Sequence, residues 1–363
     1  MNPIVRTARM LLACTLFVLQ PLAHAAAPDA TPAAKAAPFV DVLDLPAAAS
    51  ALAARAQVNA LAMAGMRVVG AGQRGHIVYS DDAGIHWQQA RVPVSSDLVA
   101  LHFPTPQSGW AVGHDGVVLH TIDSGATWQR QLDGRAIAAL LLRTYDHDGV
   151  DAAVRAAAKR LAAQGADQAL LDVWFDNERS GFVVGAFNLI FHTADGGASW
   201  QPWLDRTANR SGFHLNAIRT IAGDTYIAGE QGLLLKLAAD GSRFDALAAP
   251  YQGSFFGLAG GPGALLVYGL RGNAYLSADR GLAWRRVDTG VQVGLVAAAV
   301  LPDDRLVLVS QAGHVLVSAD HGASFSALAK AAGGPTAAVA PGEAGTIVLG
   351  GLRGMRRQLL NAP

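Results

Sequence analysis

Thr121-Ile122-Asp123-Ser124-Gly125-Ala126-Thr127-Trp128 decides the fold, because the same eight-residue pattern returns along the chain. Ser80 to Trp87, Thr193 to Trp200 and Ser277 to Trp284 repeat its hydroxyl, aspartate, glycine and tryptophan at the same spacing. Ser318 to Phe325 puts phenylalanine in the last place, and Asp240-Gly241-Ser242-Arg243-Phe244 is a shortened copy. The aspartates are Asp82, Asp123, Asp195, Asp240, Asp279 and Asp320, separated by 41, 72, 45, 39 and 41 residues. Each box follows two short apolar segments joined by Gly-x-x-Gly, as in Trp110-Ala111-Val112-Gly113 and Val117 to His120.

The joining turn gives a second count. Its last residue is Gly75, Gly116, Asn188, Gly232, Gly272, Gly313 and Gly354. Asparagine is the sensible replacement, since it tolerates the left-handed backbone that such a turn needs. Seven turns at a spacing near 41 residues, with short β-prone flanks, match a propeller with four strands per blade. The expected fold is therefore all-β: a seven-bladed β-propeller of four-stranded blades with one inserted helix.

The 72-residue step holds the insertion. Val150, Val154, Ala157 and Leu161 recur with helical period, which predicts a helix over 150–164 within an insertion spanning 145–170, between blades two and three. Asp148 or Asp151 caps its start and Gly165 ends it. The last blade lacks a box, because the chain ends soon after Arg357. Phe39-Val40-Asp41-Val42-Leu43 reads as a spare strand, expected to supply the outer strand of blade seven and close the ring. The propeller thus spans 39–360.

Arg6 and Arg9, an apolar run from Met10 to Leu19, and Ala23-His24-Ala25 have the order of a secretory signal over residues 1–25. Most of the apolar run follows Cys14 rather than preceding it, which disfavours a lipoprotein reading. Cleavage after Ala25 leaves 26 basic against 28 acidic residues and removes the single cysteine, so no disulfide or thiolate chemistry remains. Residues 26–38 are rich in alanine and proline and read as an extended tether. Apolar residues make up 51% of the chain, which excludes intrinsic disorder. With 28 basic and 28 acidic residues the chain lacks the cationic surface a nucleic-acid partner would require.

The box is the Asp box. Its aspartate accepts hydrogen bonds from its own tight turn, and its tryptophan packs between neighbouring sheets. Asp82, Asp123, Asp195, Asp279 and Asp320, with Trp87, Trp128, Trp200 and Trp284, are therefore read as structural. Repetition around a ring argues the same way, because catalysis needs one constellation rather than six.

Asp boxes paired with Gly109-Trp110-Ala111-Val112-Gly113 and Gly181-Phe182-Val183-Val184-Gly185 resemble the photosystem II stability/assembly factor family of BNR/Asp-box propellers. The resemblance covers about residues 58 to 357. It implies a seven-bladed, non-enzymatic protein-binding scaffold or assembly factor, exported to the periplasm, or to the thylakoid lumen of a photosynthetic host. Its implied partner is a membrane-protein complex or its assembly intermediates, which in photosynthetic members is photosystem II, with no small-molecule substrate.

The rival is a sialidase-like glycoside hydrolase, which shares Asp boxes but needs an arginine triad and a tyrosine–glutamate pair. Glu178, Glu230 and Glu343 are the only glutamates, and no Phe-Arg-Ile-Pro motif precedes the blades. Arg74, Arg271 and Arg353 mimic a triad only in preceding turn residues. Asp146-His147-Asp148-Gly149-Val150-Asp151 lacks the remaining ligands of a calcium loop, and helix capping explains it better. His120 and His192 hold equivalent places in different blades and read as packing residues. No phosphate loop or dinucleotide fingerprint is present, so no catalytic residue, metal or cofactor is expected. The candidate binding site is instead Arg74, Arg271 and Arg353 on one face, with Arg356 and Arg357 close behind. Such a cluster suits an acidic client segment, whereas its plain alternative is a set of solvated turn residues.

Overall fold

Every middle hairpin turns through a left-handed residue at the place the repeats predict. In the computed structural model, which describes residues 39–328, 334–343 and 345–360, the seven turn residues from Gly75 to Gly354 have φ between 65° and 91°. Among the described residues they join seven antiparallel sheets, six of four strands and one of three, each in chain order. The inner strands are Val58–Ala64, Leu98–His102, Leu170–Phe175, Leu215–Ile221, Phe255–Gly261, Leu295–Val300 and Thr336–Pro341. Each packs beside the next, and Val58–Ala64 meets Thr336–Pro341, so the ring closes.

Gly-x-x-Gly has a steric meaning at both ends. The register of each inner strand shifts after its first residue, a bulge repeated in all seven blades. That bulge presses the chain onto the first glycine: a Cβ on Gly72 would lie 1.9 Å from the Gln57 carbonyl oxygen. The connector to the next blade crosses over the second glycine, and a Cβ on Gly75 would lie 2.0 Å from the Val94 oxygen. Asn188 replaces that glycine where the connector stands off. Its buried amide donates to the Leu204 oxygen at 3.2 Å and accepts from Thr207 at 2.9 Å and Asn209 at 3.0 Å.

The apolar strands bury their side chains between blades. Trp110 is fully buried and stacks on Phe175, with ring centroids 3.6 Å apart, joining blades two and three. Val68, Ala340 and Val348, with Trp87 and Met355, fill the junction of blades seven and one. The largest core cluster extends into the insertion through Ile137, Leu141, Ala158 and Leu161.

Two departures from the sequence reading concern this insertion and the chain preceding blade one. The insertion contains two helices rather than one, α1 (Gly134–Tyr145) and α2 (Ala152–Ala163). Asp133 caps α1, and Asp151 rather than Asp148 caps α2. Helix α1 follows directly on the outer strand of blade two, so its apolar face reads as a continuation of sheet sequence. Tyr145 anchors it to blade three, its hydroxyl 2.7 Å from an Asp205 carboxylate oxygen.

Residues 40–45 form no strand, so the expected completion of blade seven by residues 39–43 is overturned. Leu43, 1% exposed, enters the cluster of blades one and two instead. Its carbonyl accepts from Arg130 at 2.6 Å, while Arg135 of α1 reaches Asp41 at 3.0 Å and Asp44 at 2.9 Å. The unexpected helix supplies the cation that draws these acids away from blade seven. The proposed signal and tether, residues 1–38, lie outside the described residues.

Two substitutions test this packing by urea unfolding. Trp128→Ala, which empties a 4% exposed site between blades one and two, should cost about 3–5 kcal/mol. Gly75→Ala should cost about 2–4 kcal/mol, because it combines a left-handed backbone with a displaced connector. A loss below about 1 kcal/mol would mean the connector yields freely.

Candidate binding face and central channel

The hairpin turns and the connectors between blades share one face, which follows from a four-stranded meander and places the insertion there too. Gly116 shows this directly, since a Cβ on it would lie 2.8 Å from the Gly134 nitrogen of α1. The residues before the turn residues are Arg74, Asp115, Phe187, Gln231, Arg271, Ala312 and Arg353 in blade order, all exposed except the half-buried Asp115. Arg74, Asp115, Phe187, Gln231 and Arg271 are left-handed without being glycine, with φ between 50° and 59°.

The three arginines of the candidate patch are exposed and occupy an arc rather than a point. Blades five, six, seven and one are consecutive in the ring, and carry Arg271, Ala312, Arg353 and Arg74. Asp115 ends the arc at blade two, and Glu230 precedes the turn position of blade four. Asp97 lies close to Arg74, accepting its backbone N–H at 2.7 Å.

Arg356 and Arg357 do not join this arc. Both lie within the outermost strand of blade seven, Gly354–Leu359. Arg356 is half-buried and donates to Thr336 at 2.7 Å, and its burial lowers the guanidinium pKa. Arg357 sits opposite Val348 and reaches Glu343 at 3.5 Å. Glu343 lies in the turn at the other end of the blade.

The Asp boxes occupy that opposite face. In blade two the Thr121 hydroxyl donates to Asp123 at 2.8 Å and accepts from the Gly125 N–H at 3.1 Å. Asp123 also accepts from the Thr127 N–H at 2.8 Å, and the Trp128 indole donates to the Gly125 oxygen at 2.9 Å. Asp82, Asp195, Asp279 and Asp320 make the same hydroxyl and backbone bonds. The shortened copy keeps only the local bonds of Asp240 to Ser242. Trp200 is buried like Trp128, while Trp87 and Trp284 are partly covered. Hydrogen bonds from Ser199 and Ser324 hold the carboxyls of Asp195 and Asp320 down at about 2.

The remaining candidates are also tied into local structure. Asp146 pairs with Lys159 at 2.8 Å and Asp148 with Arg155 at 3.6 Å across the helical insertion. His120 stacks on Trp110 with ring centroids 4.4 Å apart, and His192 packs against Phe182.

The ring centre holds polar groups that the repeats do not reveal. The seven inner strands enclose a cavity of about 180 Å³, lined in part by Asn59, Asp172, Asn216, Arg219 and Tyr268. Asp172 is buried and accepts from the Ile218 N–H at 2.8 Å and the Val173 N–H at 3.0 Å, and it pairs with Arg219. Burial raises its carboxyl pKa, while Arg219 and the two amides oppose the shift. Burial also raises the Tyr268 hydroxyl pKa. The signal available in the sequence was a single charge inside an apolar strand, at Leu171-Asp172-Val173 and Ile218-Arg219. No glutamate enters this channel: Glu178 bonds Thr105, Glu230 lies beside His214, and Glu343 lies beside Arg357.

A closed ring of blades tied by Asp boxes, with one cationic arc on its connector face, defines this protein as a seven-bladed β-propeller. Within that ring, residues 151–291 match the model of the family described as photosynthesis system II assembly factor YCF48. Comparison with curated proteins finds no match. Among solved structures, the chain is similar to YCF48 bound to a D1 peptide, at 13% identity and TM-score 0.61, covering 85% of this chain and 93% of that one. It is similar to YCF48 from Cyanidioschyzon merolae at 14% identity and TM-score 0.61, covering 84% and 96%. The WD40 propeller domain of Doa1 also matches, at 11% identity and TM-score 0.59 over 87% and 95%. At these identities the structural likenesses establish the fold.

Acid should destabilise the ring in two stages. His102 is buried against Trp174 and its pKa falls from 6.5 to about 3, chiefly through burial. The unfolded chain therefore takes up this proton first, and stability is lost as pH falls from about 6.5 toward 3. The depressed Asp195 and Asp320 add a second loss between 3.8 and about 2. Thermal melts of His102→Gln should show a flatter limb above pH 4 and an unchanged acid limb below it.

Proposed function

We propose that this chain is an exported, non-catalytic binding platform that assists assembly of a membrane-protein complex. The observation that carries the reading is the arc of Arg271, Arg353 and Arg74 across consecutive blades, on the face that also bears the helical insertion. The family match over residues 151–291 supports an assembly role. The structure of YCF48 with a D1 peptide supports a segment of a membrane protein as the client. The order of charges and apolar residues over 1–25 supports export to the periplasm, or to the thylakoid lumen of a photosynthetic host.

The geometry suits docking better than hydrolysis. Exposed guanidinium groups spread over an arc meet an extended acidic segment, and their attraction mainly accelerates encounter. A sialidase-like site would need several arginines converging beside a tyrosine–glutamate pair. Here Arg219 is the arginine lining the channel, and it is paired with Asp172. The platform needs no metal, cofactor or small-molecule substrate.

The test is Arg74→Glu, Arg271→Glu and Arg353→Glu combined in one protein, used to recover partners from solubilised membranes of the source cells. Recovery by the parent should weaken as salt rises, because the charges are exposed. The triple variant should lose at least about tenfold of that recovery at low salt. Unchanged recovery with an unchanged melt contradicts the arc.

A further inference from the structure

Blade seven leaves a strand edge open that the other six blades cover. Its outermost strand, Gly354–Leu359, has no fourth strand beside it among the described residues. Gly351 faces Gly354 across the hairpin, and the Leu360 N–H donates to the Gly345 oxygen at 2.7 Å. The alternation of an antiparallel ladder therefore turns Gly354, Arg356 and Gln358 toward the sheet. The backbone N–H and C=O groups of Met355, Arg357 and Leu359 point outward, without a backbone partner among the described residues. The Ala53–Arg55 turn approaches the strand at its start, at Gly354.

We propose that this edge is a strand-addition site, where an extended acidic segment of a partner protein pairs with Met355 to Leu359. An added strand gains affinity from main-chain hydrogen bonds and specificity from alternate side chains. Arg357 is exposed on this strand and Leu359, two residues on and on the same face, is 68% exposed, so a strand with a carboxylate opposite Arg357 and an apolar side chain two residues away fits both. Among the described residues, Arg357 pairs with Glu343, at 3.5 Å.

Other occupants fit less well. Two copies joined edge to edge would bring Arg356 and Arg357 against their counterparts, and like charges opposed across strands destabilise a ladder. Residues 40–45 are held by burial of Leu43 between blades one and two, by Arg130 of blade two and by Arg135 of α1. The stretch before them has prolines at 28, 32 and 38, which cannot donate to a ladder. The adjacent arginines thus deter self-pairing while favouring an acidic strand.

This site deepens the platform reading by adding a second contact, and it rests on that reading only in taking the partner to be a protein. The experiment is fluorescence anisotropy of the purified protein with the labelled hexapeptide Thr-Val-Thr-Glu-Thr-Val, whose one face carries glutamate between two valines. Two control peptides are methylated on alternate backbone nitrogens, one in each phase, and a third carries lysine for glutamate. The parent should bind the first peptide at least about tenfold more tightly than the lysine control and than one of the two methylated controls, and Arg357→Glu should reverse the preference between glutamate and lysine. Binding of both methylated peptides as tight as that of the first, or no binding of any peptide at about 1 mM, overturns the proposal, whatever the variant does. A protein that recovers its membrane partner yet ignores every peptide loses this edge and keeps the platform. One that binds the peptide but recovers no membrane partner keeps the edge and loses the platform.

Discussion

The close approach of each connector to a turn glycine is the constraint on which the ring depends. Where Gly75, Gly232 and Gly272 lack a side chain, the carbonyls of Val94, Tyr251 and Val291 stand in its place, 1.9 to 2.2 Å from where a Cβ would be. That contact fixes each middle hairpin against the chain leading to the next blade. It therefore sets the relation of one sheet to its neighbour before any side chain packs. The bulge over the preceding glycine makes the same demand on the inner strand, as Gln57 does at Gly72. Blade three shows the requirement by its exception, since the Asn188 amide spans the wider gap with three hydrogen bonds.

The two faces divide the labour. On one, Ser or Thr hydroxyls and aspartates tie up their own turns, and the box tryptophans reach the adjoining blade, as Trp87 does at the seven–one junction. Those carboxylates are spent on local amides and hydroxyls. On the other, the positions before the turn residues are exposed, the half-buried Asp115 excepted, and are free to vary. They carry Arg, Asp, Phe, Gln, Arg, Ala and Arg around the ring. Variation on a fixed frame is how a propeller acquires a partner without altering its core.

The repeats made most of the ring legible, because glycine position reports backbone conformation directly. Gly75 through Gly354 take the positive φ that their spacing implied, and α2 lies where Val150, Val154 and Leu161 placed it. What escaped the sequence depended on contacts between distant segments. Helix α1 begins two residues after the outer strand of blade two, so no composition break marks it. Phe39 to Leu43 alternates like a strand, but Leu43 finds a pocket and Asp41 and Asp44 find Arg135. Asp172 and Arg219 are 47 residues apart and meet only because blades three and four are neighbours. The arginines at 356 and 357 follow Arg353 closely in sequence, yet strand direction carries them off the turn face.

The account stands on the connector face as the side that meets the client. Its most direct test is site-specific photo-cross-linking in the membranes of the source cells. A photoreactive residue would replace either Leu352 beside the blade-seven turn or Leu282 in the blade-five box, which are 57% and 78% exposed. Adducts with a membrane protein should form from position 352 and not from position 282. Adducts from 282 alone would place the client on the Asp-box face and contradict the account.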